Sequence, residues 1–261
     1  MIPSDPEVRP STPSHSTGSW PRAESRGTQH SVPQRLGLLG GSFNPIHNGH
    51  LTIASQVRER LQLDRIIFIP AGEPPHKKDG ALASATDRYE MVRLAIAGTP
   101  SFDVSDIEIQ RRGKSYSIDT IRELQRQHGP TTKLYFLIGL DAFLDFPTWK
   151  EPQALLNACR FVVISRPGQS FQSLARLSML PTLAPHALSQ LDSGEMTRLD
   201  IAIPSCPGII CLPLPPSAIS ASDIRQRLKR KAALANELPP PVESYILRHH
   251  LYQEDRDHKH I

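Results

Sequence analysis

Two histidines three residues apart, His47 and His50, follow a glycine pair in the stretch LGLLGGSFNPIHNGHL, residues 36–51. An imidazole can donate a hydrogen bond to a phosphate oxygen. Residues three apart share one side of a helical turn, so both rings can face the same ligand. Gly40 and Gly41 have no side chain and let the backbone approach that ligand closely. The pattern predicts a site for a polyphosphate.

The elements around the histidines are those that place an anion at a helix N-terminus. Apolar residues from Leu36 to Leu39 predict a buried strand, and their recurrence from Leu51 to Leu61 predicts a helix. The free N–H groups and the positive dipole end of such a helix attract anions. Residues 65–70 predict a second buried strand. This order predicts a βαβ unit, and parallel sheets bind ligands at the carboxyl ends of their strands.

Further strands and helices alternate along the chain. Strands are predicted at residues 102–109, 133–139, 160–164 and 209–214, where short stretches are apolar or alternate in polarity. A helix is predicted from Thr86, as its cap, to Gly98. Residues 169–208 are rich in Leu, Ser and Pro, and we assign no function to them.

The composition narrows the class of partner. The chain has 261 residues, enough for a sizeable core, and a formal net charge of +4. This mild charge suits anionic small molecules, and no Lys/Arg block is dense enough to indicate nucleic acid. Three cysteines without metal-like spacing indicate reduced residues in a cytoplasmic protein. No apolar run predicts a membrane span or a secretory signal.

The two ends of the chain differ from its middle. Residues 1–34 are rich in Pro, Ser and Thr and predict a disordered extension. Its acidic residues and its lack of amphipathic periodicity argue against a transit peptide, while an over-called start codon and a clade-specific tail stay open. Residues 35–252 predict one folded domain, and residues 253–261 predict a charged, frayed tail.

The stretch GGSFNPIHNGH resembles the HxGH signature of the nucleotidyltransferase superfamily, most closely that of the nicotinate mononucleotide adenylyltransferases. Ser42 stands where Thr is usual and keeps the hydroxyl, whereas Asn44 stands where Asp is usual and lacks the charge. The resemblance runs from about Leu36 to Tyr252 and is weakest at residues 169–208. It implies an α/β fold, a Rossmann-like doubly wound parallel sheet of HxGH nucleotidyltransferase architecture, with a small C-terminal helical part.

The resemblance also implies an ATP site. The segment ISASDIR, residues 219–225, resembles the family's ISxTxIR element at a helix N-terminus, although a capped surface helix also fits these residues. A G-x-D element at residues 139–141 would bind the ribose, and the R-P-G turn at residues 166–168 would lie by the adenine. The implied catalytic residues are His47, His50 and Arg225. The implied ATP-binding residues are Gly40, Gly41, Ser42, Phe43, His47, His50, Gly139, Asp141, Arg166, Ser220, Ser222 and Arg225.

Three further elements resemble the mononucleotide side of the family's site. They are the PPHK loop at residues 74–77, the SYSIDT segment at residues 115–120, and Trp149. The implied substrate-binding residues are His76, Lys77, Ser117 and Trp149. Taken alone, the same residues also fit a solvated basic loop, a helix cap at Ser117 and a core or surface tryptophan.

The resemblance implies an adenylyltransferase of NAD biosynthesis that transfers AMP from ATP to nicotinate mononucleotide, giving deamido-NAD and pyrophosphate. Mg²⁺ would be bound mainly by ATP and water, with no protein metal ligand expected. Neither nucleic acid nor a membrane is an expected partner, and a homo-oligomer stays open. The alternatives are a sister enzyme acting on nicotinamide mononucleotide, phosphopantetheine or glycerol phosphate, a class I aminoacyl-tRNA synthetase fragment, and a non-catalytic nucleotide sensor. The absence of a KMSKS-like loop and of a basic anticodon-binding module argues against the synthetase.

Overall fold

The computed structural model of the chain describes residues 34–74, 82–215 and 217–253. The predicted extension lies outside these residues except for Gln34, and the predicted tail does so except for Gln253. His76 and Lys77 lie outside them as well. In the described part, the strands are β1 (Arg35–Gly41), β2 (Arg65–Pro70), β3 (Phe102–Val104), β4 (Lys133–Gly139), β5 (Arg160–Ile164), β6 (Leu199–Ile201) and β7 (Ile209–Leu212).

The strands of the described part form one seven-stranded sheet in the order β3-β2-β1-β4-β5-β7-β6. All neighbours are parallel except β6, which runs antiparallel to β7. The helices are α1 (Asn48–Leu61), α2 (Ala85–Ile96), α3 (Ile107–Gln110), α4 (Ser117–His128), α5 (Leu140–Leu144), α6 (Pro152–Ala158), α7 (Pro185–Ser193), α8 (Ala221–Lys229) and α9 (Pro240–Arg248). Short 3₁₀ segments span Phe146–Thr148 and Phe171–Arg176.

Side chains of successive strand residues pack into two separate cores. Leu36 and Leu38 face a core that also holds residues of α4, α5, α6 and α7, whereas Leu39 faces one that holds residues of α1, α2, α8 and α9. Helices therefore cover both faces of the sheet, as the predicted doubly wound fold requires. The strand order reverses between β1 and β4, and such a switch point opens a crevice at the carboxyl ends of the two strands.

Two local predictions are wrong. The strand predicted over residues 102–109 ends at Val104, because the Ser105 hydroxyl accepts a hydrogen bond from the Ile107 N–H and the chain turns into α3. The cap of α2 is Ser84 and not Thr86, since the Ser84 hydroxyl accepts the Asp87 N–H at 3.0 Å. The structure also adds β6 and α7 within residues 169–208, where the sequence pattern is weak.

One buried cation joins the loops around the crevice. Arg88 of α2 is 1% exposed, and its guanidinium donates to the carbonyls of Ala83, Ser42 and Gly72 at 3.0, 2.8 and 3.1 Å. Burial lowers the pKa of Arg88, although an arginine still stays ionised at neutral pH. Its charge is thus met by three backbone dipoles, which tie together the loop after β1, the segment after β2 and the approach to α2.

Arg88→Met should cost roughly 3 kcal/mol of unfolding free energy, because methionine fills part of the volume but removes the three hydrogen bonds to the carbonyls of Ala83, Ser42 and Gly72. Urea denaturation measures this loss. Arg93 of the same helix is the matched control, since its bond to Glu90 is exposed. Arg93→Met should cost less than about 1 kcal/mol. Equal losses at the two positions would contradict the role given to Arg88.

Candidate active site

A cleft of about 490 Å³ opens at the carboxyl ends of β1 and β4. It therefore lies at the switch point of the sheet, where an α/β fold binds its ligand. The predicted site residues that line it include both ATP-binding and mononucleotide-binding candidates. They are Gly40, Gly41, Ser42, Phe43, His50, Ser117, Gly139, Asp141, Trp149 and Arg166.

The imidazole rings of His47 and His50 lie against each other at the start of α1. His47 is the N-cap and is 7% exposed, while His50 is partly exposed and lines the cleft. The His47 N–H donates to His50 Nδ1 at 3.2 Å, and the ring centroids are 3.7 Å apart. A Cβ on Gly49 would come within 3.0 Å of His47 Nδ1 and 2.6 Å of Ser217 Oγ, so this glycine leaves room for both neighbours.

Both imidazoles are neutral at physiological pH. Burial, followed by the positive charge of Arg166, lowers the pKa of His47 to about 4. Burial, followed by the charges of His47 and Arg166, holds the pKa of His50 well below its usual range. Because His50 Nδ1 accepts the His47 N–H, the proton of the neutral His50 ring belongs on Nε2. That Nε2–H is a donor for a ligand in the cleft.

An ion pair crosses the ends of β4 and β5. Arg166 Nε lies 3.4 Å from Asp141 Oδ1, and both side chains are about half exposed. A Cβ on Gly139 would come within 2.4 Å of the carboxylate and 2.7 Å of the guanidinium, so the pair depends on a glycine between them. An exposed pair of this kind contributes little to stability, which leaves both groups available to a ligand.

The helix α8 reaches the edge of this cleft with its first residue, Ala221. Arg225 points elsewhere: its Nη1 donates to the Asn44 carbonyl at 2.7 Å and its Nη2 to Ser222 Oγ at 3.2 Å. It lines a separate cavity of about 200 Å³ together with Lys229 and Tyr252. Ser220 is the N-cap of α8, but its side chain makes no capping hydrogen bond.

The far end of the cleft holds a polar cluster that the sequence analysis missed. Thr120 Oγ1 donates to the buried carboxyl of Glu108 at 2.8 Å, and Ser115 Oγ accepts the N–H groups of Gly72 and Glu73 at 3.0 and 3.3 Å. Burial raises the pKa of Glu108, while its bonds with Thr120 and Ser115 act in the opposite direction. The SYSIDT segment contains Ser115 and Thr120, but nothing in its pattern indicated a buried glutamate beside it.

Trp149 and Ser117 lie at the same end of the cleft. Trp149 is partly exposed and packs edge-on against Phe136, with ring centroids 6.2 Å apart. The N-cap of α4 is Tyr116, and Ser117 is the first residue of the helix, so the helix-cap interpretation of Ser117 is wrong. Both side chains therefore combine a packed position with access to a ligand.

No group of three or more His, Cys, Asp and Glu side chains within the described ranges could hold a metal ion. The polar groups around the histidines are instead neutral rings, backbone N–H groups and arginines. Such donors suit phosphate oxygens, and they fit a magnesium ion that arrives on a polyphosphate and keeps several of its waters. In the described part, no helix is long and apolar enough to span a membrane.

Comparison with known proteins identifies the family of this chain. Residues 38–227 match the cytidylyltransferase-like family. Proteins named probable nicotinate-nucleotide adenylyltransferase are similar over most of the chain. That of Moorella thermoacetica is 39% identical over 86% of this chain and 94% of its own length, and that of Geobacter metallireducens is 42% identical over 85% and 100%.

Solved structures show the same fold. The Plasmodium falciparum nicotinic acid mononucleotide adenylyltransferase complexed with NaAD superposes with a TM-score of 0.62 at 18% identity, covering 84% of this chain and 97% of that one. The family match and the two bacterial relatives go beyond the fold, because they extend over most of the chain. This chain therefore belongs to the cytidylyltransferase-like family and, within it, to the nicotinate-nucleotide adenylyltransferases.

Proposed function

We propose that this chain transfers AMP from ATP to nicotinate mononucleotide, giving deamido-NAD and pyrophosphate. Membership of the family makes it a nucleotidyltransferase of NAD biosynthesis. The observation that carries the proposal is the pair of neutral histidines at the N-terminus of α1, opening into a cleft at the switch point of the sheet. A cytoplasmic location and a homo-oligomer remain predictions.

The proposed reaction needs no protein nucleophile. The mononucleotide phosphate is already ionised and attacks the α-phosphorus of ATP in line, so that the bond to pyrophosphate breaks. Catalysis then depends on position and on stabilisation of the developing charge. His47 and His50 would hold the ATP phosphates and stabilise the charge that develops on them, with His50 Nε2–H as a donor to an α-phosphate oxygen. As neutral donors they need not lose a proton during the step.

The ATP side combines fixed and exchangeable groups. Asp141 would accept hydrogen bonds from the ribose hydroxyls and Arg166 would lie beside the nucleotide, and the two side chains meet over Gly139. Arg225, Ser220 and Ser222 would bind the β- and γ-phosphates. Arg225 has five N–H donors, so it can keep the Asn44 carbonyl and still reach a phosphate. Mg²⁺, when bound to ATP, would neutralise part of the phosphate charge.

The mononucleotide would occupy the end of the cleft near Ser117 and Trp149, with the pyridine ring against the indole. This placement follows from the resemblance of the SYSIDT segment and the tryptophan, and the two residues line one cleft with His50. His76 and Lys77 would contact the substrate phosphate. A sister enzyme specific for another phosphate is the alternative.

Pyrophosphate release from ATP and Mg²⁺ tests the substrate directly. With nicotinate mononucleotide, nicotinamide mononucleotide and phosphopantetheine assayed in parallel, we expect the nicotinate form to give the highest kcat/KM. Turnover with phosphopantetheine only would keep the chemistry and overturn the substrate. ATP binding without turnover of any of the three would favour a nucleotide sensor.

His47→Ala and His50→Ala should each lower kcat/KM by roughly 10²- to 10³-fold, the usual effect of removing a donor to developing charge. Ser42→Ala should cost less than about tenfold, because the proposed step gives its hydroxyl no charge to stabilise. Steady-state kinetics on variants with unchanged circular dichroism measure these ratios. Near wild-type turnover in both histidine variants would refute the mechanism.

The histidine pKa values provide a test without substrate. We expect an NMR titration to give His47 a pKa of about 4, and Arg166→Gln should raise it because a nearby positive charge is removed. Because the folded pKa lies below the 6.5 of a free imidazole, the unfolded chain binds more protons. This contribution to stability is therefore present at neutral pH and is lost as the pH falls from about 6.5 to 4.

Arg160→Gln is the matched control for the titration. Arg160 begins β5, whereas Arg166 follows the end of the same strand, and Arg160 pairs with Asp200. The control should leave the His47 pKa unchanged. A His47 pKa near 6.5 in the wild type would contradict the neutral-donor mechanism.

A further inference from the structure

The last described turn of the chain returns to the loop that precedes the histidines. Tyr252 lies beyond α9, and its hydroxyl donates to Asn44 Oδ1 at 2.7 Å, across 208 residues of sequence. The Tyr252 backbone has a φ of 62°, in the left-handed region that a bulky residue rarely adopts. Such a conformation costs of order 1–3 kcal/mol and persists where surrounding contacts enforce it.

Asn44 is the meeting point of several distant elements. It is 4% exposed, and its Oδ1 accepts the Ala83 N–H at 3.0 Å as well as the Tyr252 hydroxyl. Its backbone carbonyl accepts Arg225 Nη1 at 2.7 Å. The C-terminal turn, the approach to α2 and the arginine of α8 therefore converge on a residue three positions before His47.

In the hydrogen bond between Tyr252 and Asn44, the tyrosine is the donor and the asparagine side chain is the acceptor. Burial raises the pKa of Tyr252, so its hydroxyl stays protonated and acts as the donor. The Ala83 N–H and the Tyr252 hydroxyl both donate to the same atom of the Asn44 side chain. That atom must therefore be the amide oxygen Oδ1 and not the amide nitrogen. Because the bond is local to the β1–α1 loop, it can control where that loop places its carbonyl.

We propose that Tyr252 is a positioning residue for the ATP side of the reaction: its bond to Asn44 fixes the loop carbonyl that holds Arg225 and the turn that leads to His47. The inference builds on the proposed function. The mononucleotide end depends on a different set of bonds, between Ser115 and the segment after β2. Loss of the Tyr252 hydroxyl should therefore affect the two substrates unequally.

Tyr252→Phe keeps the ring and removes only the donor. We expect KM for ATP to rise about threefold to tenfold, consistent with the loss of one hydrogen bond, while KM for the mononucleotide stays within about twofold. ATP binding to the wild type and the variant, measured by calorimetry without a second substrate, should weaken by a similar factor. A rise in both KM values by the same factor would overturn the proposal.

Tyr245→Phe is the matched control. The Tyr245 hydroxyl also joins the C-terminal segment to α2, by donating to Asp87 Oδ1 at 2.9 Å, and this partner belongs to the helix rather than to the loop before the histidines. The control should lose comparable stability and leave both KM values unchanged. If Tyr252→Phe behaves like Tyr245→Phe, with lower melting temperature and unchanged ATP binding, Tyr252 is merely structural and the inference is wrong.

A double-mutant cycle localises the effect. Asn44→Ala removes the acceptor, so adding Tyr252→Phe to that variant should weaken ATP binding no further. Additive losses would show that Tyr252 acts through another residue and would overturn the proposal. The calorimetry uses ATP alone and therefore does not depend on the second substrate. If the chain transferred AMP to a substrate other than nicotinate mononucleotide, the proposed function would be wrong, whereas the inference about Tyr252 would stand.

Discussion

The histidine loop depends on hydrogen-bond donors that come from elsewhere in the chain. A loop buried between two helices and a sheet must pair its carbonyls, and it has no ladder of its own to do so. Arg88 donates to the Ser42 carbonyl and Arg225 to the Asn44 carbonyl, while Ala83 and Tyr252 share the Asn44 side chain. The position of His47 and His50 is thus a consequence of contacts that α2, α8 and the C-terminal turn supply.

Burial and a further arginine determine the charge state of the histidines. Burial, and to a smaller extent the charge of Arg166, lowers the pKa of both histidines, so the rings stay uncharged and the positive charge in the site resides on arginines. Asn44 is uncharged and adds no negative charge to the loop before the histidines. A polyphosphate thus meets arginine side chains and neutral imidazole donors.

A feature of the fold or the site could be predicted from the sequence when the contacts that determine it lie close together along the chain. The bounds of β2, β4 and β5 follow from continuous apolar runs, and those strands match the predicted ranges. The strand end at Val104 was missed because one serine hydroxyl decides it, and β6 is only three residues long. Motif residues at strand ends were found because their chemistry is local in sequence.

Residues with distant partners could not be found in this way. Arg88 resembles a surface residue of an amphipathic helix until its partners, the carbonyls of Ser42 and Gly72, are known. Tyr252 has its partner 208 residues away. Glu108 lies where alternation predicted a strand, and only the fold brings Thr120 to its carboxyl.

Burial separates the fixed part of the cleft from the part that a ligand can rearrange. Arg88 and Asn44 are nearly inaccessible to solvent. Breaking their hydrogen bonds would leave unpaired polar groups in a low dielectric, at a free-energy cost that ligand binding does not offset. Asp141 and Arg166 are about half exposed, and water can replace their weak pairing as the groups turn toward a nucleotide. Gly139 allows both side chains to approach each other above the strand end. Asp141 and Arg166 can therefore exchange hydrogen-bond partners during the reaction while the histidines keep their positions.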